Sequence, residues 1–169
     1  MKIVVVSDSH GNDWDLLAIR ERHLQEADLF IHCGDSELLD DDAAMQGYLS
    51  VCGNCDYRSQ APLKRVESLA HDVTLFMTHG HTYGVKYSLQ KLYYQALEVG
   101  ANLVCYGHSH YVGAEMIEGI LFMNPGSLSF PRNTREKTYA IITVSNRAFE
   151  VAYLEGGTGE TLIRQTFKR

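Results

Sequence analysis

The chain has 169 residues, of which 45% are apolar and 21% are charged, so we expect one globular domain over residues 1–169 rather than two domains or a fibrous protein. The formal net charge of −6 has the wrong sign for a protein that coats phosphate backbones, and we expect no stable nucleic-acid binding. No apolar run reaches the roughly 20 residues of a membrane helix, and the N-terminal run is too short for a secretory signal. We therefore expect a cytoplasmic protein that does not contact membranes.

Five apolar runs in the first two thirds of the chain predict buried, mostly parallel strands, because each is short and is followed by a turn-forming or polar residue. They span residues 3–6, 29–33, 48–52, 73–77 and 103–106. Between the first two runs, Asn12 or Asp13 can cap a helix whose apolar positions include Leu16, Leu17 and Leu24. This segment is therefore predicted to be a strand-helix-strand unit.

A second helix is predicted over residues 86–99, where apolar side chains recur at the helical spacing and Gly100 ends the pattern. Its apolar stripe consists of Leu89, Leu92, Tyr93, Ala96 and Leu97. After His110 the apolar runs are separated by turn residues, which predicts antiparallel strands over residues 114–117, 120–123, 139–144, 148–154 and 161–167. The whole pattern predicts an α/β fold in which two mixed sheets pack face to face with helices outside.

Each of the five early strands is followed by aspartate, asparagine or histidine. These residues are Asp8 and His10, Asp35, Asn54, His79 and His81, and His108 and His110. Because loops at the carboxyl ends of parallel strands share one edge of a sheet, we expect these side chains to converge. In three of the loops the two residues are two positions apart, a spacing that directs both side chains to the same side of an extended chain.

Carboxylate, amide and imidazole donors together favour divalent Mn, Fe, Zn, Ni or Co over the all-oxygen sites that hold Mg or Ca. The donors are more numerous than one ion can use, so we expect two ions, and a carboxylate can bridge them. Two divalent cations contribute +4 and the carboxylates of Asp8 and Asp35 contribute −2, which leaves about +2 at the site. This local charge favours an anionic substrate.

The ordered motifs D-x-H, G-D, G-N, H-G-H and G-H-S-H resemble those of the calcineurin-like metallophosphoesterases, and most closely their small, cap-free bacterial and archaeal phosphodiesterase subgroup. The resemblance runs from residue 3 to about residue 131 and implies a four-layer α-β-β-α fold with two divalent ions, Mn²⁺ being expected first. It implies that Asp8, His10 and His110 hold one ion, that Asn54, His79 and His108 hold the other, and that Asp35 bridges them. It further implies in-line hydrolysis of a small phosphodiester by a hydroxide that bridges the ions, with Asn54 stabilising the added charge.

Cys55 departs from the pattern of many larger members, which carry a histidine directly after the motif asparagine. That histidine is proposed to protonate the leaving oxygen, and a thiol of ordinary pKa is a poor substitute. Because the G-N-C-D form is found in the small subgroup, the general acid stays open among metal-bound water, His81 and a leaving group that needs little protonation. Further along the chain, Arg132 is predicted to clamp a substrate phosphate with its guanidinium group.

Three alternatives to a phosphodiesterase stay open at this point. The same site could serve a phosphomonoesterase or nucleotidase, and the same fold could serve as a non-catalytic scaffold, like the retromer scaffold subunit. Cys52 and Cys55 form a C-x-x-C pair that a redox function could use, although we expect the cysteines to be reduced. Tyrosines over residues 83–94 could also contribute to a subunit contact, which leaves a homo-oligomer open.

Several residues near these motifs are predicted to be structural. We expect His32 to be a hydrogen-bonded core histidine, and His23 and His71 to lie on the surface. The N-P-G-S sequence over residues 124–127 is expected to form a tight turn near the site.

Overall fold

The computed structural model describes all 169 residues, which form eleven strands, two α-helices and one short 3₁₀ turn. The strands are β1 (Lys2–Val6), β2 (Leu29–His32), β3 (Tyr48–Ser50), β4 (Lys64–Leu69), β5 (Val73–Thr78), β6 (Leu103–Cys105), β7 (Val112–Ile117), β8 (Ile120–Pro125), β9 (Thr138–Val144), β10 (Ala148–Glu155) and β11 (Thr161–Lys168). The helices are α1 (Asp13–His23) and α2 (Gln90–Glu98), and the 3₁₀ turn spans His81–Tyr83. Neither α-helix has the length and apolar character that crossing a lipid bilayer requires.

The strands form two mixed sheets. The first sheet has the order β11-β10-β9-β1-β2-β3, and the second has the order β4-β5-β6-β8-β7. Parallel pairs join β1, β2 and β3 in the first sheet, and β5, β6 and β8 in the second. All other neighbouring strands are antiparallel. The carboxyl ends of the parallel strands therefore share one edge within each sheet, as the sequence predicts.

The side chains of β1 alternate between the two faces of the first sheet. Ile3 and Val5 belong to the core between the sheets, where they join residues of the second sheet such as Leu75. Val4 and Val6 point the other way and belong to a second core on the outer face of the first sheet. All four side chains are buried, so β1 is covered on both faces.

The two helices cover the outer faces of the sheets. α1 begins after Asn12, whose side chain accepts a hydrogen bond from the Asp15 backbone N–H at 3.1 Å, as expected of a helix cap. Leu16 and Ile19 of α1 pack in the core outside the first sheet, and Leu92 of α2 packs in the core outside the second. The predicted arrangement of helix, sheet, sheet and helix is therefore confirmed.

Three predictions about the helices are wrong. α2 begins at Gln90 rather than at residue 86, because the preceding residues form turns and Ser88 Oγ accepts a hydrogen bond from the Gln90 N–H at 3.0 Å. Leu24 is 58% exposed because α1 ends one residue before it. Leu97 is 50% exposed because it lies on the solvent side of the last turn of α2.

The strand predictions also need correction. β4 was not predicted, because its K-R-V-E-S-L sequence carries charges and none of its side chains is fully buried at this edge of the second sheet. β8 pairs in parallel with β6 as well as antiparallel with β7, so the C-terminal strands are not all antiparallel. Asn124 and Pro125 end β8 rather than forming a tight turn, and the left-handed conformation comes only at Gly126.

Of the predictions for two histidines, the one for His23 is wrong and the one for His32 is confirmed. His23 is buried rather than on the surface, with Nε2 2.7 Å from the Tyr139 hydroxyl and Nδ1 2.6 Å from Glu26 Oε1. His32 is the predicted core histidine, because its Nδ1 accepts from the Gly34 N–H at 3.1 Å and its Nε2 lies 2.9 Å from Ser9 Oγ. All four cysteines are free, as expected for reduced thiols.

Candidate metal centre

Loops that follow five strands bring the predicted ligands to one region of the molecule. Asp8 and His10 follow β1, Asp35 follows β2, Asn54 follows β3, His79 follows β5, and His108 and His110 follow β6. Six of these seven residues, all except Asn54, belong to groups of three donors whose atoms lie within 4.8 Å of one another. The side chains at the strand ends therefore converge, as the shared edge of parallel strands predicts.

One group of donors consists of Asp8, His10 and His110. Oδ1 of Asp8 lies 3.0 Å from His110 Nε2 and 3.9 Å from His10 Nε2. The other carboxylate oxygen accepts hydrogen bonds from the Ser7 hydroxyl at 2.6 Å and the His108 N–H at 3.1 Å. These bonds hold the carboxylate so that Oδ1 faces the two imidazoles.

A second group consists of Asp35, His79 and His108. Oδ2 of Asp35 lies 3.2 Å from His79 Nε2, and the same nitrogen lies 4.0 Å from Asp8 Oδ1, which connects the two groups. Asp35 also forms a third group with His10 and Cys55. Asp35 therefore lies between the two sets of histidines, where a bridging carboxylate would be needed.

Three of the histidines are held in the tautomer that leaves Nε2 free to bind a cation. The Nδ1–H of His10 donates to Glu37 Oε1 at 2.6 Å, that of His79 to the Cys33 carbonyl at 2.8 Å, and that of His110 to the Phe130 carbonyl at 2.8 Å. Because Nδ1 carries the proton in each ring, the neutral imidazole presents a lone pair at Nε2.

Pairs of hydrogen-bond acceptors face each other at this centre. In the neutral tautomers, Nε2 of His110 directs a lone pair at Asp8, and Nε2 of His79 directs one at Asp35. Two acceptors at such distances need a shared cation or an added proton between them. In addition, Asp8 Oδ1, His10 Nε2 and His79 Nε2 are buried and have no hydrogen-bond partner within the protein. These atoms fit the donor set of a divalent transition metal.

The charges of the centre favour cation binding. Burial alone would raise the pKa of Asp8 and of Asp35, but their contacts with the neighbouring histidines lower both pKa values below the ordinary range, so both carboxylates stay ionised. The contact with Asp8 raises the pKa of His110. Burial alone would lower the pKa of His79, but its contacts with Asp35 and Asp8 together raise that pKa above the ordinary value. Burial lowers the pKa of His108 to about 4, so this imidazole is neutral at neutral pH.

The backbone is strained at five of the seven predicted ligands. These residues have φ angles in the left-handed region, namely 54° at Asp8, 43° at His10, 54° at Asp35, 64° at His108 and 61° at His110. Each such residue costs about 1 kcal/mol or more, so the surrounding structure has to enforce the conformation. It does so partly through hydrogen bonds between loops, such as the bond from the His10 N–H to the Asp35 carbonyl at 3.0 Å.

Asp56 connects the loops that carry Asp35 and Asn54, and the sequence analysis assigned it no role. Its buried carboxylate accepts hydrogen bonds at 2.7 Å from the backbone N–H groups of Asp35, Gly53 and Glu37. The loops approach so closely that a Cβ atom on Gly53 would overlap the Asp35 carboxylate. The only sequence signal was the position of Asp56 at the end of the G-N-C-D motif, which does not reveal these partners.

Asn54 and His81 lie beside the second donor group. The Asn54 side chain is exposed, and its Nδ2 donates to Cys55 Sγ at 3.2 Å. The His81 ring lies 5.5 Å from the His79 ring and 6.1 Å from the His108 ring, centroid to centroid. Its Nδ1 is buried without a hydrogen-bond partner. His81 is therefore next to the predicted ligands but does not belong to any of the donor groups.

Arg132 lies on the other side of the centre, beside the first donor group. Its backbone N–H donates to the His110 carbonyl at 3.3 Å, and its side chain is exposed. The side chain lines an open cavity that also includes His108 and His110. The contact of Arg132 with a substrate stays a prediction, and the shared cavity places the residue beside His108 and His110.

Comparison with known proteins identifies the family. The model of the calcineurin-like phosphoesterase superfamily domain matches residues 1–147. The chain belongs to the calcineurin-like phosphoesterase superfamily. The probable metallophosphoesterase YsnB of Bacillus subtilis is 41% identical to this chain over 160 residues, which cover 95% of this chain and 94% of YsnB. The phosphodiesterase YfcE of Escherichia coli K12 is 31% identical over 103 residues, which cover 56% of this chain and 51% of YfcE.

A solved structure agrees with the fold of this protein. The crystal structure of a conserved protein of Streptococcus pneumoniae TIGR4, described as a predicted phosphoesterase, superposes with a TM-score of 0.94 at 36% sequence identity. The match covers 99% of this chain and 97% of the other. The resemblance and the fold class inferred from the motifs are thus confirmed.

Cation binding by this protein is expected to weaken as the pH falls from about 8 to about 6. The pKa values of His79 and His110 lie above the ordinary 6.5, so both rings gain protons already above that pH, and a protonated Nε2 cannot bind a cation. Each displaced proton costs about tenfold in affinity per pH unit below the raised pKa. Calorimetric titration with Mn²⁺ in buffers of different ionisation enthalpy measures both the affinity and the number of protons released.

The exposed His71 provides the control for this titration. A His71→Gln variant should show the same pH dependence as the unmodified protein. Equal Mn²⁺ affinity of the unmodified protein at pH values of about 8 and about 6 would contradict the assignment of His79 and His110 as ligands.

Proposed function

We propose that this phosphoesterase hydrolyses phosphodiester bonds of small substrates with two divalent cations bound at the candidate metal centre. The observation that supports the proposal most is the overlap of the donor groups, in which Asp35 joins His79 and His108 on one side and His10 on the other. When bound, two cations that share a carboxylate lower the pKa of water and stabilise the entering and leaving oxygens of an in-line displacement at phosphorus.

The proposed ligand sets follow the family resemblance. Asp8, His10 and His110 would hold one cation, Asn54, His79 and His108 would hold the other, and Asp35 would be shared. Mn²⁺ is the ion proposed first, with Ni²⁺, Fe²⁺, Zn²⁺ and Co²⁺ as alternatives that suit mixed nitrogen and oxygen donors. Asn54 is proposed to have a second role, because an amide that donates through Nδ2 can stabilise charge on a phosphoryl oxygen.

The leaving group is proposed to depart with little help from a protein acid. Burial lowers the pKa of His81 below its ordinary value, so His81 is neutral at neutral pH and has no proton to give readily. A neutral His81 instead fits the orientation of a water molecule or a substrate oxygen. Cys55 follows Asn54 directly, but burial raises the pKa of its thiol to about 11. The thiol therefore holds its proton too tightly to serve as an efficient acid.

Mn²⁺-loaded protein is expected to hydrolyse bis-p-nitrophenyl phosphate with a kcat/KM about tenfold or more above that for p-nitrophenyl phosphate, a difference of roughly 1.4 kcal/mol. The basis for the preference is the family resemblance alone, since both substrates release p-nitrophenolate, a leaving group that needs little protonation. Release of p-nitrophenolate measures both rates. Treatment with a chelator should abolish the activity, and added Mn²⁺ should restore it. A faster monoester reaction would favour a phosphomonoesterase or nucleotidase at the same centre.

The scaffold and redox alternatives make different predictions. A non-catalytic scaffold would show no metal-dependent hydrolysis, so the assay of the Mn²⁺-loaded protein distinguishes it from the enzyme. A redox pair needs a reactive thiolate, but burial raises the pKa of both Cys52 and Cys55, which leaves both thiols protonated and slow to react at neutral pH. The orphaned donor atoms therefore support the enzyme more than either alternative.

A further inference from the structure

A cavity adjoins the metal centre on the side of His108 and His110. Its volume is about 340 Å³, and Lys86, Tyr87, Tyr111 and Arg132 contribute to its walls. This is within the range of about 300–1,000 Å³ that is typical of small-molecule sites. The cavity is open to solvent and shares its two histidines with the proposed ligand sets, so a substrate bound at the centre could extend into it.

The cavity is positively charged although the chain as a whole is acidic. Lys86 and Arg132 line it, and none of the seven residues that line it is acidic, whereas the chain has a net charge of −6. Neither the Lys86 ammonium nor the Arg132 guanidinium forms an ion pair or a side-chain hydrogen bond anywhere in the structure; in contrast, Lys2 and Lys137 both pair with carboxylates. Both cations are thus available to a ligand.

A second cavity beside the metal centre has different chemistry. It is lined by Glu37, Cys55 and Asp56, together with apolar residues, Tyr57 and Arg58. The Glu37 carboxylate is 44% exposed and bonds to His10, which fixes it close to the centre. With two carboxylates against Arg58, this cavity favours an anionic group less than the cavity of Lys86 and Arg132, which no carboxylate lines.

We propose that Lys86 and Arg132 bind a second, non-reacting phosphate of the substrate in the cavity beside His108 and His110. The proposal rests on the proposed phosphodiesterase function and narrows the substrate class to diesters that carry a further phosphate, such as phosphorylated nucleotide esters. Arg132 can bind two phosphate oxygens through its planar guanidinium, and Lys86 adds a point charge. Tyr87, which is 94% exposed, and Tyr111 offer aromatic faces for the part of the substrate between the two phosphates.

A matched pair of chromogenic substrates tests the proposal. Thymidine 5′-(p-nitrophenyl phosphate) and its 3′-phosphorylated derivative have the same reacting diester and leaving group, and they differ by one phosphate. With Mn²⁺-loaded protein, kcat/KM should be at least about tenfold higher for the 3′-phosphorylated compound, as expected for one charge-assisted contact. The ratio should fall toward one in Lys86→Gln and Arg132→Gln variants. Lys168→Gln, a change at an exposed lysine near the end of β11, should leave the ratio unchanged.

A binding measurement separates failure of the cavity from failure of the proposed function. Calorimetric titration should show at least about tenfold tighter binding of thymidine 3′,5′-bisphosphate than of thymidine 5′-monophosphate, and Lys86→Gln should remove the difference. Tighter bisphosphate binding without hydrolysis of any diester would support the cavity and refute the phosphodiesterase. Equal affinity for the two nucleotides, or a rate ratio near one in the unmodified enzyme, would overturn the proposal.

Discussion

Replacing Asp35 with asparagine is expected to abolish stoichiometric cation binding and to lower phosphodiester turnover about a thousandfold or more, which corresponds to about 4 kcal/mol of transition-state stabilisation. The change removes the one negative charge that both sets of donors share. It should leave the fold intact, because an asparagine oxygen can still accept the hydrogen bond from the Cys55 N–H and its amide can donate to His79 Nε2.

Three measurements check this expectation. Elemental analysis counts the bound metal, p-nitrophenolate release gives the rate, and thermal unfolding followed by circular dichroism reports the fold. Asp41→Asn is the matched control, because Asp41 is exposed and forms no hydrogen bond or ion pair through its side chain. If Asp35→Asn retained two metal ions and near-normal turnover, Asp35 would not be the shared ligand.

Replacing Asp56 with alanine is expected to destabilise the protein by about 2–5 kcal/mol and to weaken cation binding. Three backbone N–H groups lose their acceptor at once, and two of them belong to Asp35 and Gly53, which position the shared carboxylate and the adjacent asparagine loop. Asp56→Asn should cost somewhat less, because one of its two oxygens is retained while the other is replaced by a donor that faces N–H groups.

Urea unfolding in the presence of a chelator measures the loss of stability apart from any contribution of bound metal. Mn²⁺ titration of the folded variant then measures the loss of affinity. Asp41→Ala serves as the control for removing a surface carboxylate. An Asp56→Ala variant with unchanged stability and unchanged Mn²⁺ affinity would show that the two loops are held in place by other contacts.

Much of the fold could be predicted because burial is visible in the sequence. β1, β2, β5 and β6 are short apolar runs bounded by polar residues, and the central position of such strands requires that pattern. β4 could not be predicted in this way, since an edge strand with partly exposed charged side chains looks like a loop. The start of α2 was missed because its limit is set by a hydrogen bond from the Ser88 side chain rather than by the apolar stripe.

The candidate site was predictable to the extent that its chemistry lies in side chains at strand ends. The position of Asp8 and His10, and of His108 and His110, at the ends of parallel strands was enough to predict that they converge. The two-residue spacing assumed an extended chain, whereas the backbone at these residues is left-handed. The role of Asp56 was not predictable, because its partners are backbone groups on another loop. Arg132 was predicted as a phosphate ligand, but its pairing with Lys86 was missed, since the two residues are distant in sequence and line one cavity only in the folded protein.

The left-handed conformation of five candidate ligands means that selection for folding and selection for function oppose each other at these positions. Glycine adopts such φ angles without the steric cost that aspartate and histidine bear. An effort to engineer a more heat-resistant variant by relieving local strain would therefore choose glycine at these sites first. Such substitutions would relieve the backbone strain but would remove the side chains proposed to bind cations, so these five positions should be left out of any redesign for stability.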